Sequence, residues 1–482
     1  MKDFRPLTLT AIALLLYLTT SGQGGKDDKI DVKLLKEDFN TLRNKLESTQ
    51  LGLYLYTPKD SLDKIFDKML NSINRPMTSL EFYRRIAPIN KILRNLHTLF
   101  WASESYENGI ETGLPRFPLD IHWTEGRMYV LRNNSTQENI VAGSVVKSIN
   151  GESANTIFEK ILGSTIRDGF NETYPTARAS RLFGFYYSEL IGTPKTFMVE
   201  LITPSGEEQK FEIHGLTATE INDSRVTKYN RRYSQYGEDW EEWRNAQKEP
   251  ALRMEMKGEV ALMTLRTLDP WIIKGKAQNY EEFINQAFNQ ITANRTNDLV
   301  IDLRNNHGGY DLVGMLLLSH LHDSTFYYYK KRTSLVKPIG KSEKKGNIYE
   351  IIGRNGWIGK VTPAQSVYKG NVYVLMNGYS ASATGEFIGH LKNINRAIFV
   401  GEEAGGNPVI FTGSQRIHVD LPNTHITGFI PLHLIETNVR LKNTGHGVIP
   451  DYVVKPSITD ILEEKDREME FVLTLIRERR KN

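Results

Sequence analysis

Hydrophobic positions change their period along the chain. Between residues 30 and 100 they recur at helical spacing: Leu35, Phe39, Leu42 and Leu46 fall on one face of an amphipathic helix. Thr78-Ser79-Leu80-Glu81 has the form of a capping box, with Met77 and Phe82 placed to staple the start of a second helix. Its stripe runs on through Ile86, Ile89, Leu93 and Leu96, with a kink expected at Pro88, and delivers the chain into His97-Thr98. Residues 116–216 are instead rich in short β-forming runs, among them Met128–Leu131, Thr196–Ile202 and an apolar strand closing on Asn150-Gly151, a tight-turn signal. Residues 217–250 turn polar and charged, as in a linker carrying a short surface helix; the acidic run Gly237–Trp243 reads as a solvated face.

From Val260 onward, strand and helix patterns alternate. Val260–Leu265, Leu299–Leu303, Asn371–Met376 and Arg396–Val400 read as strands, and Tyr280–Thr292, Leu312–Leu321 and Ser382–Leu391 as helices. A last helix carries Met469, Leu473 and Ile476 on one side, with arginines toward its negative end. The alternation predicts an α/β fold with a largely parallel sheet and helices packed on it.

The first residues form a different pattern. Lys2 and Arg5 precede the apolar run Leu7–Leu18, and small residues come after it. A run of about 12 residues is short of the about 20 a bilayer needs, so residues 1–23 read as a secretory signal peptide. The expected organisation is then a helical region over 24–115, a β-rich domain over 116–216, a linker over 217–250 and a catalytic core with C-terminal helix over 251–482. The mature protein is expected in the periplasm or secreted, with no membrane span once the signal is removed.

Composition narrows the chemistry. The chain has 482 residues, 61 Lys+Arg against 57 Asp+Glu and no cysteine. That charge balance lacks the basic footprint of a nucleic-acid binder. Without cysteine there are no disulfides, thiolate metal sites or Cys nucleophile. The 11 histidines show no metal-ligand spacing, so neither metal nor cofactor is expected. Asn133-Asn-Ser-Thr136 and Asn171-Glu-Thr173 match glycosylation sequons, a pattern of low specificity.

Three loops at the ends of core strands carry candidate chemistry. Asn377–Glu386 joins a buried strand to a helix and puts a serine at a helix N-terminus, where free amides stabilise a developing oxyanion. Serine at such a boundary more commonly serves as a cap. Asp302–Tyr310 ends a strand in paired glycines, suited to close approach of backbone to ligand, and Gly401–Pro408 ends another strand of the same set.

These segments, with Gly447–Val454, resemble peptidase family S41, which holds the C-terminal processing peptidases, the tricorn core and the interphotoreceptor retinoid-binding proteins. The resemblance implies a crotonase-like ββα core, of the ClpP/crotonase type, and Gly143–Gly151 resembles the signature of the PDZ-like domain the family often carries. It further implies Ser382 as nucleophile, with Ser380 the nearest rival, and an oxyanion hole from Gly308 or Gly309 with Ala383. The lysine of the processing branch falls on Asn407 here, and Lys392 sits within the following helix, so a Ser–Lys dyad is not expected. Leu96-His97-Thr98 resembles the histidine block of the tricorn-like branch, which makes His97 the proposed general base, with His307 and His446 as alternatives. Where an acidic orienter is expected this chain reads Asn443-Thr444-Gly445-His446; Glu402 or Glu403 could serve instead, or none is needed. The implied activity is a serine endopeptidase acting on flexible polypeptide. The alternative is a ligand- or peptide-binding protein on the same fold; a third reading, an acyl-CoA enzyme, conflicts with the secretion signal.

Overall fold

The computed structural model describes residues 28–229, 250–352 and 359–481. Residues 1–23, expected to be a signal peptide, and the acidic run Gly237–Trp243 lie outside them.

The amphipathic stripe builds helix Val32–Thr49, whose Leu35, Phe39, Leu42 and Leu46 are buried against helices Lys59–Asn71 and Ser79–Ile86. Both bonds of the Thr78/Glu81 capping box are made. Pro88 interrupts the helix outright instead of kinking it: the helix stops at Ile86, and a separate short turn spans Ile89–Ile92, because proline has no amide to donate and its ring crowds the preceding turn.

Residues 119–214 form an antiparallel sheet in the order Leu119–Thr124, Arg127–Asn133, Val145–Ile149, Thr196–Ile202, Glu208–His214. Helices Ala154–Leu162, Thr173–Arg181 and Phe183–Leu190 share its core. Asn150 and Gly151 make the expected turn, both at positive φ (52° and 80°). Both sequon regions are poor glycan acceptors: Asn133, Asn134 and Asn171 are buried, and Asn171 donates to the Ala404 carbonyl at 3.0 Å.

The core sheet runs in the order Tyr452–Val453, Ile398–Gly401, Asn371–Met376, Asp298–Asp302, Val260–Leu265, Leu252–Lys257; all its pairings are parallel except the last. Its residues alternate between two apolar layers. Leu299, Ile301, Val372 and Val374 face helices Tyr280–Ala293, Asp311–Ser319 and Ala383–Asn393, while Val300, Tyr373 and Leu375 face the C-terminal helix Arg467–Arg479. Arg304, buried at the end of its strand, holds that helix by two bonds to Asp466, at 2.7 and 2.9 Å.

A further antiparallel sheet was not expected from the sequence. Its long strand Ile426–Thr437 pairs with Ile410–Asp420 along one edge and with Leu99–Ser103 and Tyr329–Ser334 along the other. Leu99 stands opposite Phe429, so the strand just after His97 is built into the same sheet as residues more than three hundred positions later.

Candidate active site

Strand Asn371–Met376 enters the loop Asn377–Ser382, and helix Ala383–Asn393 leaves it. The loop is pinned on both sides of Ser382. Ser380, fully buried, donates from Oγ to the Leu303 carbonyl at 2.8 Å and accepts from the Asn377 amide at 3.0 Å. The Ala381 amide donates to the Asn306 carbonyl, and Thr384 Oγ1 to Asn306 Oδ1 at 2.8 Å. Ser380 is thereby a structural hydroxyl. Ser382 sits between these anchors at φ 55°, ψ −130°, and makes no capping bond. Such a conformation costs a non-glycine residue about 1–3 kcal/mol and persists only where its surroundings impose it. Relieved of the capping role, its hydroxyl faces a cavity of about 720 Å³.

The glycine loop closes over the same point. Gly308 and Gly309 have φ of 92° and 146°. A Cβ on Gly308 would stand 2.7 Å from the Ala381 carbonyl oxygen and 2.9 Å from the Ala383 nitrogen, so only glycine fits. Of the two amides proposed from sequence, that of Gly308 is already used, donating to Asn306 Oδ1 at 2.9 Å. The amides of Gly309 and Ala383 donate to no group among the described residues, and Ala383 opens the helix, where the dipole is positive. The free donor pair beside Ser382 is therefore Gly309 and Ala383, with Gly308 supplying room and shape.

His97 arrives from the opposite end of the chain. Asn95 Oδ1 accepts from the amides of His97 and Thr98, each at 2.9 Å, and its Nδ2 donates to Thr412 Oγ1. That clamp, with the pairing of Leu99–Ser103, sets the imidazole over the serine: His97 Nε2 lies 3.1 Å from Ser382 Oγ. Nδ1 is buried and makes no hydrogen bond of good geometry; the nearby Thr412 carbonyl only partly opposes the effect of burial. Burial is the largest cause, with Arg416 adding to it, and together they push the ring to about 4. The imidazole is neutral at physiological pH, and the tautomer with its hydrogen on Nδ1 leaves Nε2 free to accept the serine proton.

The other residues named from sequence are placed elsewhere or otherwise engaged. His307 lines the cavity wall with its ring 4.3 Å from that of Tyr379, and burial beside Arg181 and Arg178 holds it neutral. His446 Nδ1 contacts Glu403 Oε1 at 3.1 Å, and the same oxygen accepts from the Gly447 amide at 2.9 Å. Glu402 pairs with Lys455 at 3.1 Å and lines a second cavity. The expectation that Glu402 or Glu403 orients the base is corrected: strand Ile398–Gly401 turns both toward the segment 446–455, whereas Nδ1 of His97 faces strand Ile410–Asp420. Asn407, at the lysine position of the processing branch, takes no base-like role either; its Nδ2 donates to Tyr56 Oη and Asn443 Oδ1, both at 2.8 Å, and its amide to Asp168. Lys392 pairs with Asp451. Among the described residues no group of three or more His, Asp or Glu is arranged to hold a metal ion.

Sequence reasoning did not single out Asn306 and Asn95. Asn306 joins the glycine loop to the serine loop, and Asn95 joins the histidine loop to Thr412. Asn306 lies within the segment Asp302–Tyr310, but nothing in its spacing reveals that one amide side chain bridges two loops.

Residues 259–454 match the family model described as peptidase family S41. No curated protein matches the chain by sequence. Among solved structures the fold is similar to mature CPAF complexed with lactacystin, at 14% identity and TM-score 0.66 over 92% of this chain and 97% of that one. Mature CPAF is matched at 14% identity and TM-score 0.63, over 90% and 95%. The photosystem II D1 C-terminal processing protease is matched at 13% identity and TM-score 0.41, over 89% and 96%.

Proposed function

We propose, for a chain that belongs to peptidase family S41 through residues 259–454 and is a serine-type peptidase, that Ser382 is its nucleophile and His97 its general base. The carrying observation is the 3.1 Å contact between His97 Nε2 and Ser382 Oγ, beside two free amides. His97 takes the hydroxyl proton as Oγ attacks a peptide carbonyl. The carbonyl oxygen, now carrying charge, is received by the Gly309 and Ala383 amides at the helix N-terminus. His97 then returns its proton to the leaving amine, and the same base activates the water that releases the acyl group. Among the described residues no carboxylate bonds to the imidazole, and the Thr412 backbone stands where an acid would. A ligand-binding protein would need the cavity alone; the strained serine, the free amides and the aligned base favour hydrolysis.

The core is read as crotonase-like and residues 116–216 as a PDZ-like domain, which would present a substrate's extended end by strand addition. The leader-like residues 1–23 place the chain outside the cytoplasm in this reading; N-terminal sequencing of the secreted chain tests it, and recovery of the intact leader on a cytoplasmic protein would overturn it. The activity is tested by degradation of an unfolded protein, run beside Ser382→Ala and His97→Ala. Loss of cleavage in both variants supports the dyad. Undiminished cleavage by Ser382→Ala removes the serine from the mechanism, and loss in that variant alone transfers the base role to His307.

A further inference from the structure

The cavity that holds Ser382 continues past it into a polar pocket whose walls come from the catalytic loops themselves. Glu386 lies one helical turn beyond Ser382, its amide bonded to the Ser382 carbonyl at 3.0 Å. Asp311 lies two residues beyond Gly309. Both line the cavity, together with Tyr329, Arg332 and His433. A side chain on the residue whose carbonyl is attacked, held between Oγ and the Gly309 amide, has this pocket directly beside it.

Two carboxyl groups lie side by side there. Tyr329 Oη bonds to Asp311 Oδ2 at 2.8 Å and also to Glu386 Oε2. A hydroxyl has one hydrogen: given to Asp311, it leaves the oxygen to accept from a protonated Glu386. Burial, with Asp311 beside it, does push the Glu386 carboxyl up, to about 8. Arg332 pairs with Asp311 at 3.3 Å, and its guanidinium also lies over the Tyr329 ring. Arg416 also lines the cavity but lies over the Phe429 ring, so among the described residues Arg332 is the guanidinium that reaches the carboxyl pair. His433 provides a second, independent sign of an unmet ligand: it is 3% exposed, and among the described residues neither ring nitrogen has a hydrogen-bond partner. Buried polar groups without partners are costly.

We propose that this pocket is the subsite for the residue supplying the scissile carbonyl, and that it takes a basic side chain, lysine or arginine. The inference rests on the Ser382–His97 reading for its orientation. A substrate cation beside Glu386 favours its carboxylate form, the proton passing to solvent, and pairs with the charge so formed. His433 in its neutral form offers an acceptor nitrogen to an ammonium or guanidinium. An acidic side chain would meet two carboxyl groups, and an apolar one would offer His433 no donor.

The test uses four labelled peptides identical except for Lys, Arg, norleucine or Glu at the residue supplying the carbonyl. Hydrolysis is measured with the wild type, and binding with Ser382→Ala. The expected result is a preference for Lys or Arg over norleucine of about 10-fold or more in both assays, as for a site built to pair a polar substrate group. Glu386→Gln should bring that ratio toward one. Equal binding of the four peptides, or a preference for norleucine or Glu, overturns the subsite. A uniform loss of binding to all four peptides by Glu386→Gln, with the fold intact by circular dichroism, also overturns it. Basic-selective binding without hydrolysis of any peptide by the wild type leaves the subsite standing and overturns the peptidase reading instead.

Discussion

His97 and Ser382, 285 positions apart in the chain, meet through Nε2 and Oγ at 3.1 Å. The distance is set by two unrelated devices. A strained loop fixes the serine, and an asparagine clamp with a strand pairing fixes the histidine.

The strain at Ser382 can be measured. Replacement by glycine removes the hydroxyl and also the cost of φ 55°, whereas alanine removes only the hydroxyl. Ser382→Gly is expected to unfold at higher denaturant than Ser382→Ala, by roughly 0.5–2 kcal/mol, because relieved strain exceeds the added chain entropy of glycine. Both variants should be inactive. Equal stability in paired urea titrations would mean that the loop is not strained.

The proposed base, His97, is neutral over an unusually wide range. Burial favours the uncharged ring, so protonation is deferred to lower pH, and His97 stays competent down to about 4. The acid limb of kcat/KM, which reports the free enzyme, is expected near that value and not near the ordinary imidazole pKa of about 6.5. A pH profile whose acid limb lies at about 6 or above would count against His97 as the base.

Gly308 tests shape apart from hydrogen bonding, since its own amide is committed to Asn306. A methyl group there would press on the Ala381 carbonyl and the Ala383 amide, at 2.7 and 2.9 Å. Gly308→Ala is expected to lower kcat by about 100-fold or more, the scale seen when one oxyanion donor is displaced. Steady-state kinetics on a folded variant decide it; near-wild-type kcat would show that the loop can yield without disturbing the Ala383 amide.

Asn306 should behave as a positioning residue. Its side chain accepts from the Gly308 amide and Thr384 Oγ1 and donates to the Leu265 carbonyl at 2.9 Å. Asn306→Ala leaves those partners buried and unpaired, with an expected loss of about 1–3 kcal/mol in stability. Its kcat should fall while KM changes little, since the oxyanion amides shift and the substrate pocket remains. Thr384→Val, which removes one of the three bonds, should show a smaller effect in the same direction. A change confined to KM would instead place Asn306 in substrate binding.

Restoring the lysine of the processing branch should not restore a base. Asn407 turns its side chain to Tyr56 and Asn443, away from the cavity that Ser382 faces. Asn407→Lys in a His97→Ala background is expected to stay inactive. Recovered hydrolysis in that double variant would show that the two branches share one interchangeable base position.

Short-range features were legible in the sequence for a simple reason: their physics is short-range. The stripe Leu35–Leu46, the Thr78/Glu81 box, the Asn150-Gly151 turn and the alternation of the core depend on neighbours three or four residues away or on a period of two. The serine at a strand-to-helix junction and the paired glycines are equally local signals. The antiparallel sheet of Ile410–Asp420 and Ile426–Thr437 was missed although its strands alternate, because partners in a sheet are chosen by register and not by spacing.

What the tertiary structure decided is which of those signals meet. Ser380 and Ser382 are alike in sequence, and only the bonds to Leu303 and Asn377 remove Ser380 from contention. Gly308 and Gly309 are alike until Asn306 takes one amide. Several histidines are candidates for the base in sequence, and the pairing of Leu99 with Phe429 brings His97 to Ser382. The expected acid went elsewhere because strand Ile398–Gly401 points its end toward the C-terminal segment. Local chemistry is written in adjacent residues; convergence over hundreds of positions is a property of strand registers and packed cores.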